Sequence, residues 1–359
     1  MQPESRPPAR ESVPPFTAMA LQLDCTAVNG LSRAEAQAQM LKAIARINGA
    51  IATSAGFTRG FAGTDTKLVV LPEYFLSSFP MGESIAQWRE TGAIAQDGPE
   101  YAALSAVAQA QKCYLVGNVY EQDPHFRDLY FQVCFIIAPN GNVALRYRRL
   151  ISLFAPTPVD VWDKYLDIYG LDAVFPVLRT EIGALACVAS EEILYPEIAR
   201  NMALRGAEIL CHPTSEVGAP GLTPKEIARR ARAIENMTFV VCANTARVLG
   251  TPLPAESTGG MSKVIDYKGN VLAEAYTGET FCANAVIDID SLRKIRALSG
   301  MTNVLSRQPL EVYMAGYAGH SISPPNTFLE NGNVRVPDRA FFIQRQAAAI
   351  ARLAKEGVI

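Results

Sequence analysis

Apolar and polar positions alternate along this chain in two rhythms. Short, mainly apolar runs that read as strands cover residues 16–25, 67–71, 113–120, 132–138, 143–147, 183–189, 207–211, 238–243, 261–266, 271–276 and 281–288. Between them, apolar residues three or four apart predict helices. Ser32 and Glu35 have capping-box spacing, and Ala36, Met40, Ile44 and Ile47 then share a face as far as Gly49. Asp97-Gly98-Pro99 opens a helix to Lys112, Pro196 opens one to Gly206, and Thr223-Pro224 with Glu226 opens one to about Met237. Asn140-Gly141 and Lys268-Gly269-Asn270 read as hairpin turns. Residues 150–175 are aromatic and irregular. Residues 319–359 hold a Pro-rich connector and one amphipathic helix over about 338–355. Strands and helices alternate in both halves, so two sheets, each covered by helices on its outer face, would bury the apolar runs. Residues 1–15, rich in Pro and charge, are expected to form a loose arm.

Composition narrows the class. Of 359 residues, 49% are hydrophobic and 19% charged, enough for a large core. A formal net charge of -2 makes no electrostatic case for nucleic acid or a membrane surface. No apolar run approaches the roughly 20 residues that span a bilayer. The N-terminus lacks the basic-then-apolar order of a signal peptide, so a cytoplasmic location is expected. The 7 cysteines are dispersed and are expected to be reduced thiols; Cys187, inside a strand-like run, reads as core. The 3 histidines (His125, His212, His320) do not pair with cysteine at zinc spacing. No metal and no cofactor are expected.

The candidate chemistry sits at residues 183–200. Small apolar residues 183–189 predict a buried strand; the acidic pair Glu191-Glu192 interrupts it, and Pro196 suits a first helical turn. A polar residue at such a strand–elbow–helix junction faces a cleft, with backbone N–H groups close by. That is where a nucleophile and an oxyanion hole are built. Ser190 occupies the junction.

The stretch ending Tyr195-Pro196-Glu197 and Arg200 resembles the nucleophile segment of the nitrilase, or carbon–nitrogen hydrolase, superfamily, closest to its aliphatic-amidase and carbamoylase branches. Counting back puts Ser190 at the family's cysteine. Leu71-Pro72-Glu73 is similar to its first catalytic segment, Arg146-Tyr147-Arg148-Arg149 to its K-Y-R-K segment, and Arg230 to Asn236 to its R-A-R-A-x-E-N helix. Gly300 to Tyr313 resembles a late segment of related hydrolases. The resemblance covers about residues 16–318. It implies a four-layer α-β-β-α sandwich over that span, a C-terminal extension at 319–359 suited to packing on a partner subunit, and a homodimer or higher homo-oligomer.

The resemblance also implies a reaction: a carboxylate takes the nucleophile's proton, and a cation with a backbone N–H steadies the oxyanion. Glu73 falls at the carboxylate, Ser190 at the nucleophile and Arg149 at the family's lysine, with the N–H of Glu191 as a second oxyanion donor. Arg149 supplies charge but cannot shuttle a proton, and an alcohol is a far weaker acid than a thiol. Glu191, Tyr195, Glu121 and Trp162 are candidate pocket residues. Glu121 reads slightly better as a strand-edge surface residue. Trp162 belongs to an aromatic loop, with Phe154, Tyr165 and Tyr169, that would form either a lid over the cleft or a subunit contact. The expected function is hydrolysis of a small-molecule amide, with a nitrile or N-carbamoyl compound less favoured, through an acyl-enzyme on Ser190. The alternative is a nitrilase-fold pseudoenzyme that binds a ligand or protein partner without catalysis.

Overall fold

In the strands at residues 16–20, 66–70 and 126–137, successive side chains go to opposite cores, as the pleat requires. Ala18, Ala20, Leu68, Val70, Cys134 and Ile136 enter one apolar cluster, while Met19, Val69, Val133, Phe135 and Ile137 enter another. The computed structural model describes residues 11–219, 221–281 and 283–359. The N-terminal arm expected at 1–15 lies outside the described residues over 1–10.

Helices are numbered in chain order: α1 Arg33–Ala62, α2 Ile85–Thr91, α3 Pro99–Gln111, α4 Trp162–Tyr169, α5 Pro196–Leu204, α6 Pro224–Asn236, α7 Ile289–Ala297, α8 Leu310–Tyr317 and α9 Arg339–Lys355. One sheet runs in the spatial order Asn284–Ile287, Phe16–Ala20, Thr66–Val70, Tyr114–Asp123, Phe126–Ile137, Val143–Arg148, with Ala93–Ile94 also pairing to Tyr114–Asp123. The other runs Val271–Glu274, Lys263–Ile265, Phe239–Asn244, Ile209–Thr214, Gly183–Cys187, Leu178–Thr180. The sheets face each other through the first cluster. Buried residues of α1 and α3 (Met40, Ile44, Leu104, Val107) cover the outside of the first sheet. Those of α5 and α6 (Ile198, Met202, Ala228, Ala233) join the core of the second. The architecture is the four-layer α-β-β-α sandwich expected.

Each sheet has three adjacent parallel strands at its centre: Phe16–Ala20, Thr66–Val70 and Tyr114–Asp123 in one, Gly183–Cys187, Ile209–Thr214 and Phe239–Asn244 in the other. The carboxyl ends of parallel strands are where α/β proteins place their sites. Glu73, Ser190 and Ser215 all follow such ends.

The structure changes some expected boundaries. α1 has the Ser32–Glu35 capping box but continues past Gly49 to Ala62, where Gly63 at φ 68° stops it. Ile51, Ser54 and Thr58 extend the buried stripe, and Gly49 lies on the exposed side with open space where a Cβ would go. The first expected strand splits into Phe16–Ala20 and a short piece, Cys25–Thr26. The aromatic stretch at 150–175 contains α4, in which Tyr165 is fully buried. The C-terminal helix α9 docks on its own chain: Phe342 is buried against Phe154 and Phe328, and Arg345 pairs with Asp160. Among the described residues no helix is long and apolar enough to cross a membrane.

Candidate active site

The strand Gly183–Cys187 runs through Val188 and Ala189 into a one-turn 3-10 helix at Ser190–Leu194, and Pro196 then starts α5. Ser190 holds the turn at φ 45°, a left-handed conformation that costs a serine about 1 kcal/mol. Its side chain is buried. What fixes the turn is Glu192. Its carboxylate accepts from Ala189 N at 3.3 Å, Tyr147 Oη at 2.8 Å, Leu150 N at 2.7 Å and Ile151 N at 3.1 Å. Ser190 is thereby tied to the segment that carries Arg149. Full burial pushes the Glu192 carboxyl up to about 7, against the lowering influence of Arg149 and these donors.

Glu73 lies two residues beyond Leu71, buried where the two sheets meet. Its backbone N–H donates to Thr214 O at 3.2 Å, which docks the loop on the opposite sheet. Tyr74 follows at φ 59°, a second left-handed residue in the site. The Glu73 carboxylate accepts from Gln132 Nε2 at 2.7 Å and Arg149 Nη1 at 3.3 Å on one oxygen, and from Ser215 N at 2.9 Å on the other. The buried Arg149 guanidinium also donates from Nη1 to Gln132 Oε1 at 2.6 Å and from Nε to Ile151 O at 2.5 Å, and its Nη2 pairs with Glu191 Oε1 at 2.5 Å. Although burial works against its charge, Tyr74, Glu73, Glu191 and Glu192 hold its pKa above the ordinary value. Two carboxylates therefore clamp a permanent cation beside the elbow.

Among the described residues, the group that hydrogen-bonds the Ser190 hydroxyl is Lys225: its Nζ donates to Ser190 Oγ at 3.0 Å and to Ser215 O at 3.3 Å. Ser215 thus joins the two halves of the site, its N–H on Glu73 and its carbonyl on Lys225. Burial lowers the Lys225 pKa, as do Arg229 and Arg149, while Glu73 and Glu216 oppose the shift. His212 is turned to other work: Nδ1 of its buried ring lies 2.9 Å from Val188 O, and burial keeps it neutral.

A cavity of about 310 Å³ opens beside this cluster. Its polar surface includes Gln132, Arg149, Glu191 and Ser215, and its apolar walls include Tyr74, Phe79, Tyr120, Phe154, Val248 and Leu253. A larger groove of about 880 Å³ lies elsewhere, against residues 11–16 and Arg293, and none of the candidate residues lines it.

The sequence candidates thus separate. Arg149 and Glu191 line the cavity; Glu73 and Ser190 are off its lining and join that cluster through Arg149, Ser215 and Lys225. Glu121 is buried away from the cavity lining, accepting from Tyr101 Oη at 2.5 Å, Gln96 Nε2 at 2.9 Å and Arg146 Nε at 3.0 Å. Tyr195, 41% exposed, and Trp162, at the start of α4, are also off that lining. Of the aromatic loop only Phe154 and its neighbours reach the cavity; Tyr165 and Tyr169 instead receive the Arg148 guanidinium over their rings. Lys225, Gln132 and Glu192 were missed. The sequence carries no distinguishing signal for Lys225 or Gln132; for Glu192 it carries one, the acidic pair that interrupts the apolar run at the elbow.

Comparison with known proteins bears on the family. The family model described as Carbon-nitrogen hydrolase matches residues 25–297. The chain is 26% identical over 231 residues to a probable nitrilase of Schizosaccharomyces pombe, covering 64% of this chain and 79% of that protein. It is 28% identical over 279 residues to a formamidase of Bradyrhizobium, covering 75% of each. The crystal structure of a carbon-nitrogen hydrolase from Helicobacter pylori superposes with a TM-score of 0.62 at 22% identity, covering 86% of this chain and 99% of that one.

Proposed function

This chain belongs to the carbon-nitrogen hydrolase family, and on that premise we propose that it hydrolyses an amide through an acyl-enzyme on Ser190. The observation that carries the reading is Ser190 itself: a buried hydroxyl held at φ 45° on the elbow, with Lys225 on its oxygen. Strained backbone of this kind persists where the surrounding structure over-determines it, as around a working nucleophile.

In this reading Ser190 Oγ bonds to the substrate carbonyl carbon, its proton passes to a neighbouring base, and the carbonyl electron pair moves to oxygen. The resulting oxyanion is steadied by the Arg149 charge and by the N–H of Glu191. Collapse breaks the carbon–nitrogen bond, and the nitrogen leaves with the proton as ammonia or an amine. Water then adds to the ester, gives its proton to the base, and the carboxylic acid departs as Ser190 regains a proton. Glu73 holds Arg149 and the Ser215 amide in register. The cavity's mainly apolar wall suits a substrate with an aliphatic or aromatic acyl group.

One observation favours the second reading, a non-catalytic protein that binds a ligand or partner: Arg149 is already engaged by Ile151 O, Gln132, Glu73 and Glu191. Incubation with a panel of amides, with product release followed by chromatography, separates the two. Turnover that is abolished in Ser190→Ala supports hydrolysis; ligand binding without turnover across the panel supports the second reading.

A further inference from the structure

We infer that Lys225 is the proton acceptor for Ser190, so that the site works as a serine–lysine dyad; this rests on the reading of Ser190 as the nucleophile. Geometry carries the assignment. Lys225 Nζ lies 3.0 Å from Ser190 Oγ, and its second bond, to Ser215 O at 3.3 Å, aims the amine. Among the described residues, none of the rival groups hydrogen-bonds Ser190. Both Glu73 oxygens accept from other donors, His212 Nδ1 faces Val188 O, and Arg149 cannot give up its proton.

The placement of Lys225 in α6 supplies the chemistry. Thr223 caps the helix, accepting from Glu226 N at 3.1 Å, and Pro224 takes the first helical position. Lys225 therefore sits in the first turn, at the positive end of the helix dipole, where an ammonium is disfavoured. Arg229 lies one turn further on the same helix, with its own charge taken up by Glu216 and Glu226. The charged groups bearing on Lys225 are Arg229 from its own helix, Arg149 from the end of the strand Val143–Arg148, Glu73 from the loop after Thr66–Val70, and Glu216 from the loop after Ile209–Thr214. The balance favours the neutral amine more than an exposed lysine's surroundings would. Once the amine has taken the proton from Ser190, Glu73 and Glu216 stabilise the new ammonium. That ammonium is then placed to return its proton to the leaving nitrogen. The proton count closes without any other group.

The test is the rate at which p-nitrophenyl butyrate acylates Ser190, followed by intact-protein mass spectrometry from pH 6 to 10 in the full chain. The unmodified protein is expected to gain one butyryl group, absent in Ser190→Ala, at a rate that rises with pH to a midpoint below the ordinary lysine value of 10.5. Lys225→Arg keeps the charge but cannot act as a base, and is expected to acylate ~100-fold or more slowly and to lose that rising limb. Lys225→Gln, read beside it with circular dichroism to check folding, is expected to do the same. If both variants acylate at the original rate with the original profile, Lys225 is not the acceptor and the Ser190 reading survives. If Glu73→Gln alone abolishes the limb, the acceptor is Glu73. If the unmodified protein neither gains a butyryl group on Ser190 nor releases p-nitrophenolate faster than Ser190→Ala at any pH, the nucleophile reading falls and the dyad with it.

Discussion

Ser190 Oγ and Lys225 Nζ stand 3.0 Å apart although 35 residues separate them in sequence. The elbow after Gly183–Cys187 brings one, and the capped start of α6 brings the other. The carbonyl of Ser215 holds the lysine in place. Arg149 and Glu73 form a buried ion pair on the other side of Ser215.

Removing Arg149 leaves Glu73 buried with one donor fewer and Glu191 without its cation. Arg149→Met is expected to lose about 3–5 kcal/mol of stability in urea denaturation, the usual cost of breaking a buried ion pair from one side. A loss below ~1 kcal/mol would mean that the clamp contributes little to folding.

Glu192 makes stability fall as pH rises. Its folded value, pushed up to about 7 by burial, exceeds its ordinary 4.5. Between those values the folded chain binds the extra proton. The stabilisation is full below pH 4.5 and is lost as pH climbs through 7, at a slope approaching ~1.4 kcal/mol per pH unit. Glu192→Gln removes this slope. Urea melts of both proteins from pH 5 to 8 are expected to differ in slope in that sense.

At most positions glycine is less stable than alanine by about 0.5–1 kcal/mol. At position 190 the order is expected to reverse, because φ 45° strains alanine and not glycine. Ser190→Gly should melt above Ser190→Ala by about 1 kcal/mol in the same denaturation assay.

The C-terminal helix is expected to influence the cavity through one wall residue. Phe342 packs its ring 6.4 Å from that of Phe154, which lines the cavity, and Arg339 lies 4.2 Å over the same Phe154 ring. Phe342→Ala should cost about 3–5 kcal/mol. Because Phe154 loses its backing, KM for substrates with apolar acyl groups should rise more than KM for acetamide-sized ones.

The strands and layers were legible because buried strands of an α/β sandwich are written as short apolar runs. Ser190 was legible from the elbow that follows a buried strand, whereas Glu73 and Arg149 were named through the resemblance of their segments to the family's catalytic segments. Lys225 was not: a lysine after Thr-Pro reads as the solvated start of a helix, and only the turn that brings Ser190 under it reveals its partner. Gln132 was hidden because one polar residue in the strand Phe126–Ile137 does not disturb the apolar pattern, though it holds both Glu73 and Arg149. The buried setting of Glu121 was not legible, because its sequence neighbours give no hint of Tyr101, Gln96 and Arg146 around it. The true end of α1 was missed because Gly49 looks like a stop, whereas the stripe through Ile51, Ser54 and Thr58 carries the helix onward.

The central claim concerns the hydroxyl at position 190, and rapid acid quench of the protein with butyramide, followed by peptide mass spectrometry, tests it most directly. A butyryl ester on the Ser190 peptide, formed before butyrate appears and absent in Ser190→Ala, is the expected result. Butyrate production that persists undiminished in Ser190→Ala, with no ester on that peptide, would contradict it.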